Sequence, residues 1–137
     1  MKIKFNINTE IKKEEILEKT KIVLFDCMVK LHELAVINCP VDTSALVNSI
    51  KLFPSVPGAT TYELADGVTY GIDVEFGTDP HVIIVKNKKV LANKKKGLIF
   101  GKIVNHPGTT AQPFMRPSLD QVKNVWVKRF WQKEFSK

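Results

Sequence analysis

Apolar and small residues recur at three- and four-residue intervals from about Thr9 to Asn38: Ile16, Leu17, Thr20, Leu24, Cys27, Met28, Leu31, Leu34 and Ala35. That spacing predicts one long helix with a single apolar face. Asn8 or Thr9 is placed to cap its first turn, and Glu10, Glu14 and Glu15 suit the positive end of the helix dipole. Pro40 ends it, because the residue before a proline avoids helical angles. At 1.5 Å per residue such a helix is about 45 Å long. One end then projects from so small a domain or packs on a neighbour.

Beyond the proline, "CPVDTSALVNSI" opens a second apolar pattern, with Ala45, Leu46, Ser49 and Ile50 on one face of a short helix. Asp42 is placed as its N-cap, accepting a backbone N–H two or three residues on. The cluster Asp42-Thr43-Ser44 also sets an acid beside two hydroxyls, but a nucleophile needs a base at hand, and no histidine lies near it in sequence. Capping is the simpler account.

From Lys51 to about Val104 the pattern shortens. β-prone runs appear around Thr60–Leu64 and Val68–Phe76, and "HVIIV" and "KKVLA" predict the two strands of a hairpin, with "GLIFGKIV" as a further strand. Alternation within "VEFGT" sets Phe76 toward the core and Glu75 on the opposite side, facing a positive group such as Arg116. A last helix is expected from about Pro117 to Glu134. Its stripe is Leu119, Val122, Trp126 and Phe130, widened by Val125 and Trp131. The expected fold is α+β: one domain over 1–137, an antiparallel sheet flanked by a long N-terminal helix, a short second helix and a C-terminal helix.

Charge adds a candidate contact. The chain carries a net charge of +7. Six lysines, Lys86, Lys88, Lys89, Lys94, Lys95 and Lys96, lie within Lys86–Gly97, which is expected to form a mobile hairpin tip able to meet a polyanion or an acidic partner. Chemistry is sparse by comparison. Cys27 and Cys39 have no CxxC spacing and read as reduced, packed thiols. No apolar run is long enough to cross a bilayer, and the first residues lack the apolar region of a secretory signal. Phosphate-cradling glycine motifs and HExxH are absent, and no cofactor is expected. Asp79, His81 and His106 would hold a metal only if two strand ends met. Asp73, Glu75 and Asp79 are the carboxylates available to a Mg²⁺-dependent nuclease, with Asp73 and Glu75 on one face of a strand.

Three fragments in order, "CPVDTSALVNSI", "YGIDVEFGT" and "HPGTTAQPFMRPSLDQ", resemble the tail-completion, or head–tail joining, proteins of long-tailed bacteriophages and prophages. The matching positions are Pro40, Val41, Asp42, Thr43, Leu46, Ser49 and Ile50; Tyr70, Val74, Glu75, Phe76, Gly77 and Thr78; and Pro113, Phe114, Met115, Arg116, Pro117 and Leu119. Ser44 stands where the family pattern has Gly, Gly71 and Ser118 where it has Ala, and Val47 where a basic residue is common. The resemblance implies a structural, non-enzymatic protein of the virion neck, assembled in the host cytoplasm. It is similar to tail terminators, whose rings, usually six-fold, dock the tail tube to the head connector. Implied partners are further copies of the chain, the tube protein and the connector. The alternatives are a DNA-contacting neck protein that uses the lysine segment, and a small metal-dependent nuclease.

Overall fold

The computed structural model describes residues 9–42, 44–87, 89–94 and 96–136, with side chains from Lys12 onward. Asn8, Thr43, Lys88, Lys95 and the Thr9 side chain lie outside the described residues. The chain divides into two compact units. One takes the chain as far as Val68 together with everything from Phe114; the other is Thr69–Pro113. The α+β class holds, with three two-stranded antiparallel ladders among the described residues.

The first unit is built on α1 (Thr9–Asn38). Against it, in antiparallel sense, runs the C-terminal rod: α4 (Met115–Gln121), a π-helical segment (Val122–Trp126) and α5 (Val127–Phe135). Three contacts set the direction. Asn38 Nδ2 donates to Ser118 Oγ at 2.9 Å, the Lys30 ammonium lies 4.4 Å from the Trp126 ring centre, and Lys19 lies 5.6 Å from that of Phe135. The core holds Val23, Cys27, Leu31, Leu34 and Val122, with Met28, Leu64, Trp126, Phe130 and Phe135 packed on it.

Two sequence expectations are corrected here. Ile16 and Leu17 are exposed and Val23 is buried instead, so the apolar face of α1 enters the core about two turns later than its pattern suggests. Leu119 is exposed as well. The inward positions of the C-terminal rod are Phe114, Ser118, Val122, Trp126 and Phe130, a strict four-residue repeat. In an α-helix each four-residue step overshoots a turn by about 40°. The wider turn of the π segment takes back part of that drift and keeps the later residues facing α1.

α2 (Ala45–Ser49) begins abruptly. Its first flanking residue is Ser44 at φ 61°, in the left-handed region, with no side-chain cap bond, and Asp42 is exposed. The expected Asp42 cap is therefore not made; a left-handed residue turns the chain into the helix instead. Of the expected face, Leu46 and Ile50 are buried and Ser49 half-buried, but Ala45 is exposed; His32 Nε2 donates to the Ile50 carbonyl at 3.1 Å. β1 (Lys51–Phe53) and β2 (Glu63–Ala65) follow, with Leu52 opposite Leu64. A β-carbon costs about 1–2 kcal/mol in the left-handed region. Replacing Ser44 by Gly should therefore raise stability, by about 0.5–1 kcal/mol once the looser unfolded chain is counted. Asp42→Ala should change it by less than about 0.5 kcal/mol. Urea melts of the two variants test both statements, and a loss above 1 kcal/mol in Asp42→Ala would restore the capping role.

Candidate assembly surface

The second unit starts with α3 (Gly71–Phe76), where a strand was expected. Its hydrogen bond from Val74 N to the Tyr70 carbonyl is helical. The helical turn overturns two expectations. Residues two apart now point to nearly opposite sides, so Asp73 is exposed while Glu75 is only 5% exposed. Phe76, expected inside, is 60% exposed.

Gly77 and Thr78 then lock onto Gly108 and Thr109. Thr78 and Thr109 exchange both backbone hydrogen bonds at 3.0 Å, their hydroxyls lie 3.1 Å apart, and Gln112 N donates to the Val74 carbonyl at 2.8 Å. "VEFGT" and "HPGTT" thus meet in one construction. The other half of the third fragment belongs to the first unit. There Phe114 and Ser118 are fully buried, and Ser118 Oγ donates to the Phe114 carbonyl at 2.5 Å. Met115 is half-buried; Pro113, Arg116 and Pro117 are exposed, Pro117 in the first turn of α4. Pro40 is half-buried at the end of α1, and Tyr70 is exposed just before α3.

From the threonine bridge a two-stranded ribbon extends. β3 (His81–Ile84) pairs with β6 (Ile103–His106), Val85 N donates to the Lys102 carbonyl, and β4 (Leu91–Asn93) pairs with β5 (Leu98–Gly101). The expected pairing of "HVIIV" with "KKVLA" is not formed. The chain turns instead between Asn93 and Leu98, where Asn93 Oδ1 accepts the Lys96 N–H and Gly97 takes φ 66°. The register shifts between Leu91 and Ala92, leaving Phe100 as the extra residue of a bulge beside Gly101 at φ 103°. Lys94 and Lys96 are at the tip, while Lys86 and Lys89 lie between β3 and β4; all four are exposed.

What sequence reasoning missed is how little of this ribbon is covered. Direct cross-strand pairing puts Ile84 beside Ile103 on one face, and they are 64% and 68% exposed. Val82, Leu98, Ile99 and Phe100 are exposed too, Ile99 at 75%. The other face holds Ile83 and Val104, both half-buried, and the stacked rings of exposed His81 and half-buried His106, 5.0 Å apart. An open groove of about 640 Å³ borders it, lined by Leu91, Asn93, Lys94, Phe100, Val104 and His106 among others.

The strand ends do meet at the two histidines, but the Nδ1 atom of each is engaged locally. His81 Nδ1 donates to the Asp79 carbonyl at 2.9 Å, and His106 Nδ1 accepts the Gly108 N–H at 3.1 Å. No group of three or more metal-ligating side chains occurs among the described residues. Cys27 and Cys39 are free thiols; burial raises the pKa of both, helped by Asp26 and Asp66 respectively. Both therefore stay protonated at neutral pH and are not poised as nucleophiles. Among the described residues no helix is long and apolar enough to cross a membrane. No protein-family model, curated protein or solved structure matches the chain.

Proposed function

We propose that the chain is a structural protein that completes a phage tail and joins it to the head connector, acting as a ring of identical subunits at the virion neck. The observation that carries this reading is the bare apolar ribbon. A lone two-stranded hairpin is marginal in water, and exposed edges invite pairing. Val82, Ile84, Leu98, Ile99, Phe100 and Ile103 together make a surface of the kind that marks a protein contact. Covering an apolar side chain is worth roughly 1.5–3 kcal/mol, so several together match the roughly 4–15 kcal/mol that association costs in lost freedom.

The ordered family fragments support the same reading, and one departure now has a physical account. The pattern has Gly where this chain has Ser44, and that position lies at φ 61°. In this reading the chain performs no chemistry; its partners are further copies, the tube protein and the connector, and its site is the virion neck after assembly in the host cytoplasm. The test is electron microscopy of the purified chain in negative stain, with and without tail tubes from the phage or prophage that encodes it. Rings, and tubes capped by them, are the expected result. A monomer that leaves the tubes bare would overturn the proposal. Salt-dependent DNA binding without rings would favour the DNA-contacting alternative, and Mg²⁺-dependent cleavage of plasmid would favour the nuclease.

A further inference from the structure

The charges of this chain are segregated. From Leu52 to Val85 there is no Lys or Arg but five acids, Glu63, Asp66, Asp73, Glu75 and Asp79. From Lys86 to Leu119 there is no acid but eight cations, Lys86, Lys88, Lys89, Lys94, Lys95, Lys96, Lys102 and Arg116. The second unit spans this boundary. Its α3 end presents Asp73 and Asp79, both exposed, beside Tyr70 and the 71% exposed Ile72. Its ribbon presents exposed lysines beside Leu98, Ile99 and Phe100. One unit therefore carries an apolar surface rimmed by negative charge and another rimmed by positive charge.

We infer that successive copies join head to tail, the basic apolar ribbon of one seated on the acidic α3 end of the next. This deepens the assembly reading and rests on it. Two different complementary surfaces on one subunit are what a heterologous contact requires, and repetition of that contact builds a ring when its rotation closes. Ribbon-to-ribbon pairing is disfavoured, because Lys86, Lys89, Lys94 and Lys96 would face their own copies, and like charges across a contact are repelled. DNA would satisfy the lysines but leave Leu98, Ile99 and Phe100 in water. A second copy covers both kinds of group. From Leu98 to Thr109, at about 3.3 Å per residue, the ribbon spans up to about 36 Å, enough to cross a subunit boundary.

The experiment uses two charge-reversed full-length chains: Asp73→Lys with Asp79→Lys, and Lys94→Glu with Lys96→Glu. All four positions are exposed, and circular dichroism checks that each variant is folded. Self-association is read by light scattering on a sizing column. The wild type is expected to assemble, and each variant alone to self-associate at least about tenfold more weakly, because each sets like charges across the contact. An equimolar mixture is expected to assemble again, since the ribbon of each variant then meets an opposite charge on its neighbour. If the wild type assembles and both variants do so equally well, the inference fails while the assembly reading stands. If the variants are weak but the mixture is no stronger, the contact is not this one. Undiminished assembly by Lys94→Glu/Lys96→Glu with loss of salt-dependent DNA binding would assign the ribbon to DNA. A wild type that stays monomeric would remove both the inference and the reading beneath it.

Discussion

Phe114→Ala should lower the unfolding free energy by about 3–5 kcal/mol, as large-to-small changes at buried aromatics do. Phe114 has no accessible surface, and it opens α4 with its carbonyl bound by Ser118 Oγ. That hydroxyl also accepts Asn38 Nδ2 from the last turn of α1. Removing the ring leaves a cavity where the two ends of the chain's helical unit are joined. Part of the cost is the lost transfer of the ring from water, and part is the void that the surrounding helices fail to close. Against a typical total of about 5–15 kcal/mol, a fifth or more of the stability goes. Urea unfolding followed at 222 nm measures it. Trp131→Ala, on the same rod but 45% exposed, should cost much less and serves as the comparison. Equal losses in the two variants would mean that Phe114 is not the keystone of this junction.

The long N- and C-terminal helices of the first unit were legible because their signals are long. Twenty residues of three-and-four spacing, Ile16 to Ala35, leave little choice, and Pro40 stops α1 where expected. The π segment was not legible, since nothing in "VKNVW" distinguishes it from α-helix, although the four-residue repeat from Phe114 to Phe130 hinted that a plain helix would drift. α3 was misread because six residues are too few for a helical period to declare itself, and Ile72, Val74 and Phe76 favour strands. Two glycines bracket those residues, which was the available clue.

At the candidate site the lysines were plain, but the bare apolar surface was not. A continuous run such as "HVIIV" reads as a strand buried on both faces. Val82 and Ile84 are instead exposed on the isolated chain. The run is correct for a strand that is covered, and the residues that would cover it are not its own neighbours in sequence. The charge segregation either side of Val85 was written in the sequence throughout. It gained meaning only once Asp73 and Asp79 were found at the α3 end of the second unit and Lys94 and Lys96 at its ribbon tip, each beside exposed apolar residues.

Gly108→Ala should cost about 2–6 kcal/mol and open the base of the ribbon. Two independent penalties combine. Gly108 has φ 83°, where a side chain costs about 1–3 kcal/mol. A β-carbon there would also press into the Thr78 carbonyl oxygen and lie 3.0 Å from the Asp79 carbonyl carbon, and backbone cannot swing away as a side chain can. Such overpacking adds about 1–3 kcal/mol. The arrangement is reciprocal: a β-carbon on Gly77, at φ 75°, would lie 2.5 Å from the Thr109 carbonyl oxygen and 2.8 Å from Ala111 N. Each glycine lets the other's strand approach, so Gly77→Ala should act alike. Gly97→Ala separates the two penalties, because Gly97 has φ 66° but open space around it, and it should cost only about 1 kcal/mol. Hydrogen exchange of the Thr78 and Thr109 amides reads the base of the ribbon directly, and both should lose protection in Gly108→Ala. Trp126 and Trp131 belong to the other unit, so their fluorescence should keep its native signature, which sets this lesion apart from Phe114→Ala. Should Gly108→Ala cost no more than Gly97→Ala, the close approach of the two glycine-threonine turns would not be what holds the ribbon in place.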